Sequence, residues 1–288
     1  MTQSENRRIA KNTIFLYFRM LLIMFVSFYT SRVTLRILGI EDYGIYQSVC
    51  GVVTFLAFIS NALGGGTSRF ITYEMGKEKP ELGSLFSTVR ITHIILGIII
   101  FIAGEIVGQW FIKYKLIIPF ERIPAAQFAF HFSMITTFFQ ITQIPYNAVI
   151  IAYERMNVYA YVSIAEAVLK LLIVFLLNML AFDKLQVYSV LLCSVTVLIM
   201  LIYRVYCRKN FKEVKSKITF SKDMFKSVVS FSSWSLLSNS ATSFANQGVT
   251  IVTNMFFAPA VVTVRSLGLQ INGINLLQTL ELQSILRL

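Results

Sequence analysis

Apolar positions fall along this chain in long runs, broken by short polar turns. Residues 12–38, 43–63, 85–112, 125–152, 157–181, 185–207, 226–256 and 260–280 are each predominantly apolar. About 20 helical residues cross the hydrocarbon core of a bilayer. The pattern therefore predicts eight membrane-crossing helices and an all-α, polytopic bundle. No short alternating segments of the kind that build a membrane barrel occur. The first run is the longest feature of the N-terminal part. Its 27 residues make roughly 40 Å of helix, enough to span with tilt.

The polar positions inside these runs carry the chemistry, because a charge facing lipid costs several kcal/mol. The first run holds Arg19, Arg32 and Arg36. Arg32 and Arg36 are four apart and share a face, with Arg19 roughly 100–140° away. Side chains lean toward a helix N-terminus. Arg19 is thus expected to snorkel to its own interface, and Arg32 and Arg36 to face a cavity as anion ligands. The second run ends in Gly64-Gly65-Gly66-Thr67-Ser68-Arg69. That is expected to be a helix end and hinge, with Arg69 as an entrance contact. In the third run Gly97, Gly104 and Gly108 share a face suited to close helix packing. Arg90 and His93 lie toward one end of it and Glu105 toward the other.

The fourth run aligns Thr136, Gln140, Gln143 and Asn147 within about 60°, around Pro145. Interhelical hydrogen bonding at a kink and a hydrophilic wall for a polar ligand both fit. The fifth run carries Tyr159, Ser163, Glu166 and Lys170 as one stripe. Glu166 and Lys170 are placed to pair at i,i+4, as a structural pair or as a switchable one beside a transport route. The seventh run has a polar stripe of Ser235, Asn239, Thr242, Asn246, Thr250 and Thr253, which belongs against water or other helices.

Alternate loops differ in basic residues. Sixteen Lys and Arg fall on the side that includes the N-terminus and six on the other, which predicts a cytoplasmic N-terminus. Between runs six and seven, residues 208–225 place Phe211, Val214, Ile218 and Phe225 among lysines. They are expected to form a helix lying in the membrane interface. The setting of run seven repeats that of run one about 216 residues later, so a parallel repeat is expected. The units are then 1–207, a complete six-helix bundle; 208–225, a linker; and 226–288, the first two helices of a second bundle. Such a repeat implies that the chain is C-terminally truncated.

Composition agrees. The chain of 288 residues is 56% hydrophobic and only 14% charged, against about 25% charged in soluble domains. Its net charge of +12 is a topology signal first and an attraction to anionic lipid second, with no nucleic-acid partner expected. Cys50, Cys193 and Cys207 are scattered, without disulfide or metal spacing, and no cofactor is expected. The first run is too long for a cleavable leader and reads as an anchor. Asp42, Asp183 and Asp223 are isolated from one another, and every loop is short. That argues against a membrane glycosyltransferase or polymerase, which needs carboxylates at a reacting centre.

Several segments together resemble the O-antigen-type polysaccharide flippases of the multidrug/oligosaccharidyl-lipid/polysaccharide exporter superfamily, relatives of the MATE drug transporters. They are Thr30-Ser31-Arg32 with Leu38-Gly39-Ile40-Glu41-Asp42-Tyr43-Gly44-Ile45-Tyr46, Thr67-Ser68-Arg69-Phe70, Ile144-Pro145-Tyr146-Asn147-Ala148, Tyr153-Glu154-Arg155-Met156, Tyr159 to Lys170, and Tyr203-Arg204 with Tyr206-Cys207. The resemblance implies two six-helix bundles around a cationic cavity in a bacterial inner membrane. It also implies transport of an undecaprenyl-pyrophosphate-linked oligosaccharide to the outer leaflet, alongside polysaccharide polymerase or export machinery. Arginines grip phosphate in paired geometry. Arg32, Arg36 and Lys170 are therefore expected to form the anion site, with Glu166 tethering Lys170 and Arg19, Arg69 and Arg90 as further cations. Gln140, Asn147, Asn239 and Asn246 would meet sugar hydroxyls. An ion-coupled drug extruder and an inactive fragment are the alternatives.

Overall fold

The computed structural model describes residues 3–78, 80–216, 219–230 and 249–269, with side chains from Arg19 onward except at 52 and 54–63. Every regular element among them is helical. Helix α1 (Gln3–Met75) has two limbs, 3–38 and 40–75, joined at Gly39 with φ 81°. That left-handed value suits glycine and strains any other residue. Helix α2 is Leu82–Tyr114, α3 Ile123–Ala152, α4 Met156–Met179 and α5 Lys184–Asn210. A helical stretch at 222–230 (α6), Val249–Phe256 (α7) and Pro259–Leu269 (α8) complete the described part.

Four helices among the described residues are long and apolar enough to cross a membrane. Helix α3, at 30 residues, matches them in length but carries the polar row. It is the hub of the bundle, packing against α1, α2 and α5, while α4 lies against α1 and α5. Its small and apolar positions Ala125, Ala126, Ala129, Phe130, Met134 and Ile141 are buried. Close approach of α2 depends on missing side chains. A Cβ at Gly97 would meet the Phe138 ring at 3.0 Å, and one at Gly108 would run into the Phe130 ring. Gly108→Ala is therefore expected to cost about 1–3 kcal/mol by overpacking. A lowered unfolding midpoint of the purified protein checks this.

Two structures close the bundle ends. At the turn end, near Gly39, Arg122 lies in the 3₁₀ turn Phe120–Arg122. Its Nε donates to Asp42 Oδ1 at 2.8 Å, and its terminal nitrogens reach Asp42 Oδ2 and Asp183 Oδ2 at 2.5 Å. Asp183 also caps α5, accepting from the Leu185 and Gln186 amides. The two aspartates that are isolated in the sequence thus share one guanidinium. Burial pushes the Asp183 carboxyl up, but Arg122 and the two amides outweigh it and hold it below the usual range.

At the linker end, residues 211–216 and 219–221 form an irregular strap. Phe211 and Val214 are buried and Tyr153 donates to Glu213 at 2.8 Å. The hydroxyl of Ser216 donates to the Gly83 carbonyl, and the Thr219 and Ser221 amides donate to Ser87 and Thr88. The interfacial helix expected over 208–225 does not form. Side-chain acceptors on α2 take the strap's amides in place of a helical ladder. A second expectation fails at Gly64–Gly66, where α1 continues to Met75 and the glycines are neither cap nor hinge. Most of the seventh expected helix, and the end of the eighth, lie outside the described residues.

Candidate functional site

The candidate residues sort by height along the bundle. A helical rise of 1.5 Å per residue, counted from the turn end, gives their depths. Arg32 and Arg36 lie within about 10 Å of that end, Lys170 about 13 Å below it and Glu166 about 20 Å. Arg19 and Arg90 lie roughly 30–36 Å down, and Arg69 about 45 Å. One continuous anion site holding all of them is therefore not formed.

At mid-height a cavity of about 180 Å³ is lined by Tyr46 and Cys50 of α1, Ser133, Thr136 and Gln140 of α3, Lys170 of α4, and Ser189 and Thr196 of α5. The α3 polar row and the α4 stripe were separate features of the sequence, and the fold brings them to one space. Gln143 and Asn147 continue the row and hydrogen-bond each other at 3.4 Å. Lys170 Nζ donates to Glu166 Oε1 at 2.6 Å, with side chains 39% and 31% exposed. The pair is thus open to whatever enters. Helix packing supplies the apolar walls, and the hydroxyls supply donors and acceptors for a neutral polar ligand.

No described side chain of the first limb of α1 lines that cavity. Thr34 and Leu38 face inward and are buried. Arg32 and Arg36 are exposed, on a face shared with Leu21, Phe25, Phe28 and Tyr29. Neither arginine makes a hydrogen bond or ion pair with a described residue. The expected joining of these arginines to Lys170 in one pocket is thus corrected. Both arginines lie on the face of the limb turned away from the side that buries Thr34 and Leu38.

Arg19 does not snorkel. Its guanidinium stacks on Tyr159 at 4.5 Å and donates to Ser163 at 3.0 Å, so α4 draws it into the bundle. Arg90 is half-buried. Arg69 lines a groove with Gly64, Gly65, Ser68, Thr72, Tyr73 and Ile151. Asn239 and Asn246 lie outside the described residues. Thr250 of the same row is buried where α7 meets Gly51.

The sequence reading missed three cations. Arg122 is the turn-end clamp. Arg204 donates to Thr142 at 3.1 Å and lies over Tyr146 at 5.6 Å. Arg265 on α8 keeps its Nε buried without a partner, at about the depth of Arg32. Arg204 stands beside Tyr203 in one of the segments that carry the family resemblance. Nothing local distinguishes the other two. The structure also pairs Glu105 with His131 at 3.1 Å and with Gln109. His93 is fully buried, bonded to the Val89 carbonyl.

Known proteins give two points of comparison. The fold is similar to the inward-facing conformation of a multidrug resistance MATE family transporter of the MOP superfamily, with a TM-score of 0.74 and 16% identity. The similarity covers 92% of this chain and 62% of that one, so the chain spans less than two thirds of the transporter's length. No curated protein matches. The profile of the polysaccharide biosynthesis protein family matches residues 9–280. With nearly the whole chain matched, this chain belongs to the polysaccharide biosynthesis protein family.

Proposed function

We propose that the protein moves an undecaprenyl-pyrophosphate-linked oligosaccharide from the inner to the outer leaflet of a bacterial cytoplasmic membrane. One observation carries this reading. Arg19, Arg32, Arg36, Arg90 and Arg204 all lie within membrane-length helices, and none makes an ion pair with a described carboxylate. Uncompensated cations at such depths are costly against lipid and favour an anionic occupant. A lipid pyrophosphate supplies concentrated charge, and Arg32 and Arg36, one turn apart, offer it two guanidinium forks. The mid-height cavity offers hydroxyl, amide and ammonium groups to the saccharide. In this reading the N-terminus and the basic strap are cytoplasmic. Residues 1–207 are one bundle, and 226–288 begin a second that rocks against it.

The drug-extrusion alternative needs an acid available to a cationic substrate, but Glu166 is held by Lys170 and Glu105 by His131 and Gln109. Native mass spectrometry of the protein in nanodiscs separates the two. A short-chain polyprenyl diphosphate is expected to bind in preference to a lipophilic cation such as tetraphenylphosphonium. The reverse preference discards the flippase reading.

A further inference from the structure

The second limb of α1 meets α7 and α8 along a seam at the turn end. A Cβ on Gly51 would touch Thr250 at 3.5 Å, and one on Gly44 would run into the Pro259 backbone. Thr263 Oγ1 of α8 donates to the Ile40 carbonyl at 2.8 Å. Residues 40, 44 and 51 fall within about 18 Å of the Gly39 kink, by helical rise. The loop after α2 joins the seam from the side, where the Ile117 amide donates to the Asn254 carbonyl at 3.3 Å. Ile117 lies beyond α2 and Asn254 in the last turn of α7, so each supplies what the other lacks from a helical ladder. Met255 packs against the apolar cluster that holds Ile45 and Val49.

Asn254 stands between Thr250 and Pro259, in the middle of this seam. Its side chain is completely buried. Neither Oδ1 nor Nδ2 finds a hydrogen-bond partner. Thr263 nearby is buried too, but its hydroxyl is bonded. A dry amide with both groups unmet loses its hydration and gains nothing in return. In a permanently packed core, leucine would fill the same space without that penalty. In an interface that parts, the penalty applies only while the interface is shut, because parting returns the amide to water.

We infer that the seam is the turn-end gate of the transport route, and that the unbonded Asn254 amide is the device that keeps it releasable. This inference rests on the transport reading above, in which the second bundle rocks against the first. The Ile117–Asn254 and Thr263–Ile40 bonds and the Met255 packing hold the gate shut. The stranded amide offsets part of that hold. It brings the shut and parted states close enough in free energy for a ligand's differential affinity to shift the balance.

Hydrogen–deuterium exchange of the full-length protein in nanodiscs, with no ligand added, tests this. The Ile117 amide reports the seam directly, and the segment 82–88 beneath the strap serves as reference. Asn254→Leu, with the same branching and no polar atom, should slow exchange at 115–118 at least tenfold and leave the reference at its wild-type rate. Gly44→Ala, which wedges a methyl against Pro259, should speed exchange at 115–118 at least tenfold. Asn254→Ala removes the amide without adding bulk and should also slow it, which covers the case in which leucine disturbs the packing and lowers the melting transition. Exchange at 115–118 that neither Asn254 variant slows, or that slows only in step with the reference, overturns the release device. Because no lipid takes part, that result leaves the transport reading intact, to stand or fall on its own ligand preference.

Discussion

Arg32→Gln combined with Arg36→Gln lowers the affinity for a polyprenyl diphosphate by at least about 100-fold. Each hydrogen bond from a charged donor contributes roughly 1.5–3 kcal/mol, so losing one from each arginine removes about 3–6 kcal/mol. Neither side chain contacts a described carboxylate, and both are exposed, so their loss strands no buried charge. Folding should be unaffected. Arg32→Lys with Arg36→Lys keeps the charge but loses the planar fork, and is expected to fall between wild type and the Gln pair. Isothermal titration in nanodiscs reads the affinity. Wild-type affinity in the Gln pair would remove these residues from the pyrophosphate station.

The second large effect is on stability. Arg122→Ala leaves Asp42 and Asp183 facing each other without their shared cation. The three side chains are 20–29% exposed, between the buried regime, where removing one partner is severe, and the surface regime, where it is slight. A loss of about 2–3 kcal/mol follows, a fall of roughly 5–10 °C in the melting transition. Arg122→Lys should recover only part, because an ammonium cannot serve both carboxylates in fork geometry. The clamp also predicts a pH dependence. The Asp183 carboxyl is depressed in the folded chain. Its stabilisation is thus complete above the ordinary aspartate value and drains away as pH falls through the depressed one. Wild type should lose stability there, and Arg122→Ala should lose less. Parallel acid transitions for the two proteins would show that the clamp contributes little.

The identity of the polar residues was legible in the sequence, but their grouping was not. Gln140 and Lys170 were visible as members of two helical stripes, since a 3.6-residue period assigns residues to faces. That both stripes border one cavity with Ser189 and Thr196 depends on how α3, α4 and α5 rotate against each other. Arg19 was misjudged because snorkelling considers a helix alone, whereas Tyr159 and Ser163 offered a nearer partner. The Gly64–Gly66 run was read as a stop because glycine is a poor helix former. Continuation of the helix to Met75 shows neighbouring turns overriding local propensity.

The sequence by itself determined that the chain is a helical membrane bundle, where α2 to α5 begin and end to within a few residues, and that cations lie among the apolar segments. These follow from hydropathy and periodicity, which act along a single chain segment. Only the tertiary structure decided which cations share a space and that Arg122 joins two distant aspartates. The physical reason is that a charge's surroundings are set by helices remote in sequence, whose rotation and approach are fixed by contacts such as Gly108 against Phe130.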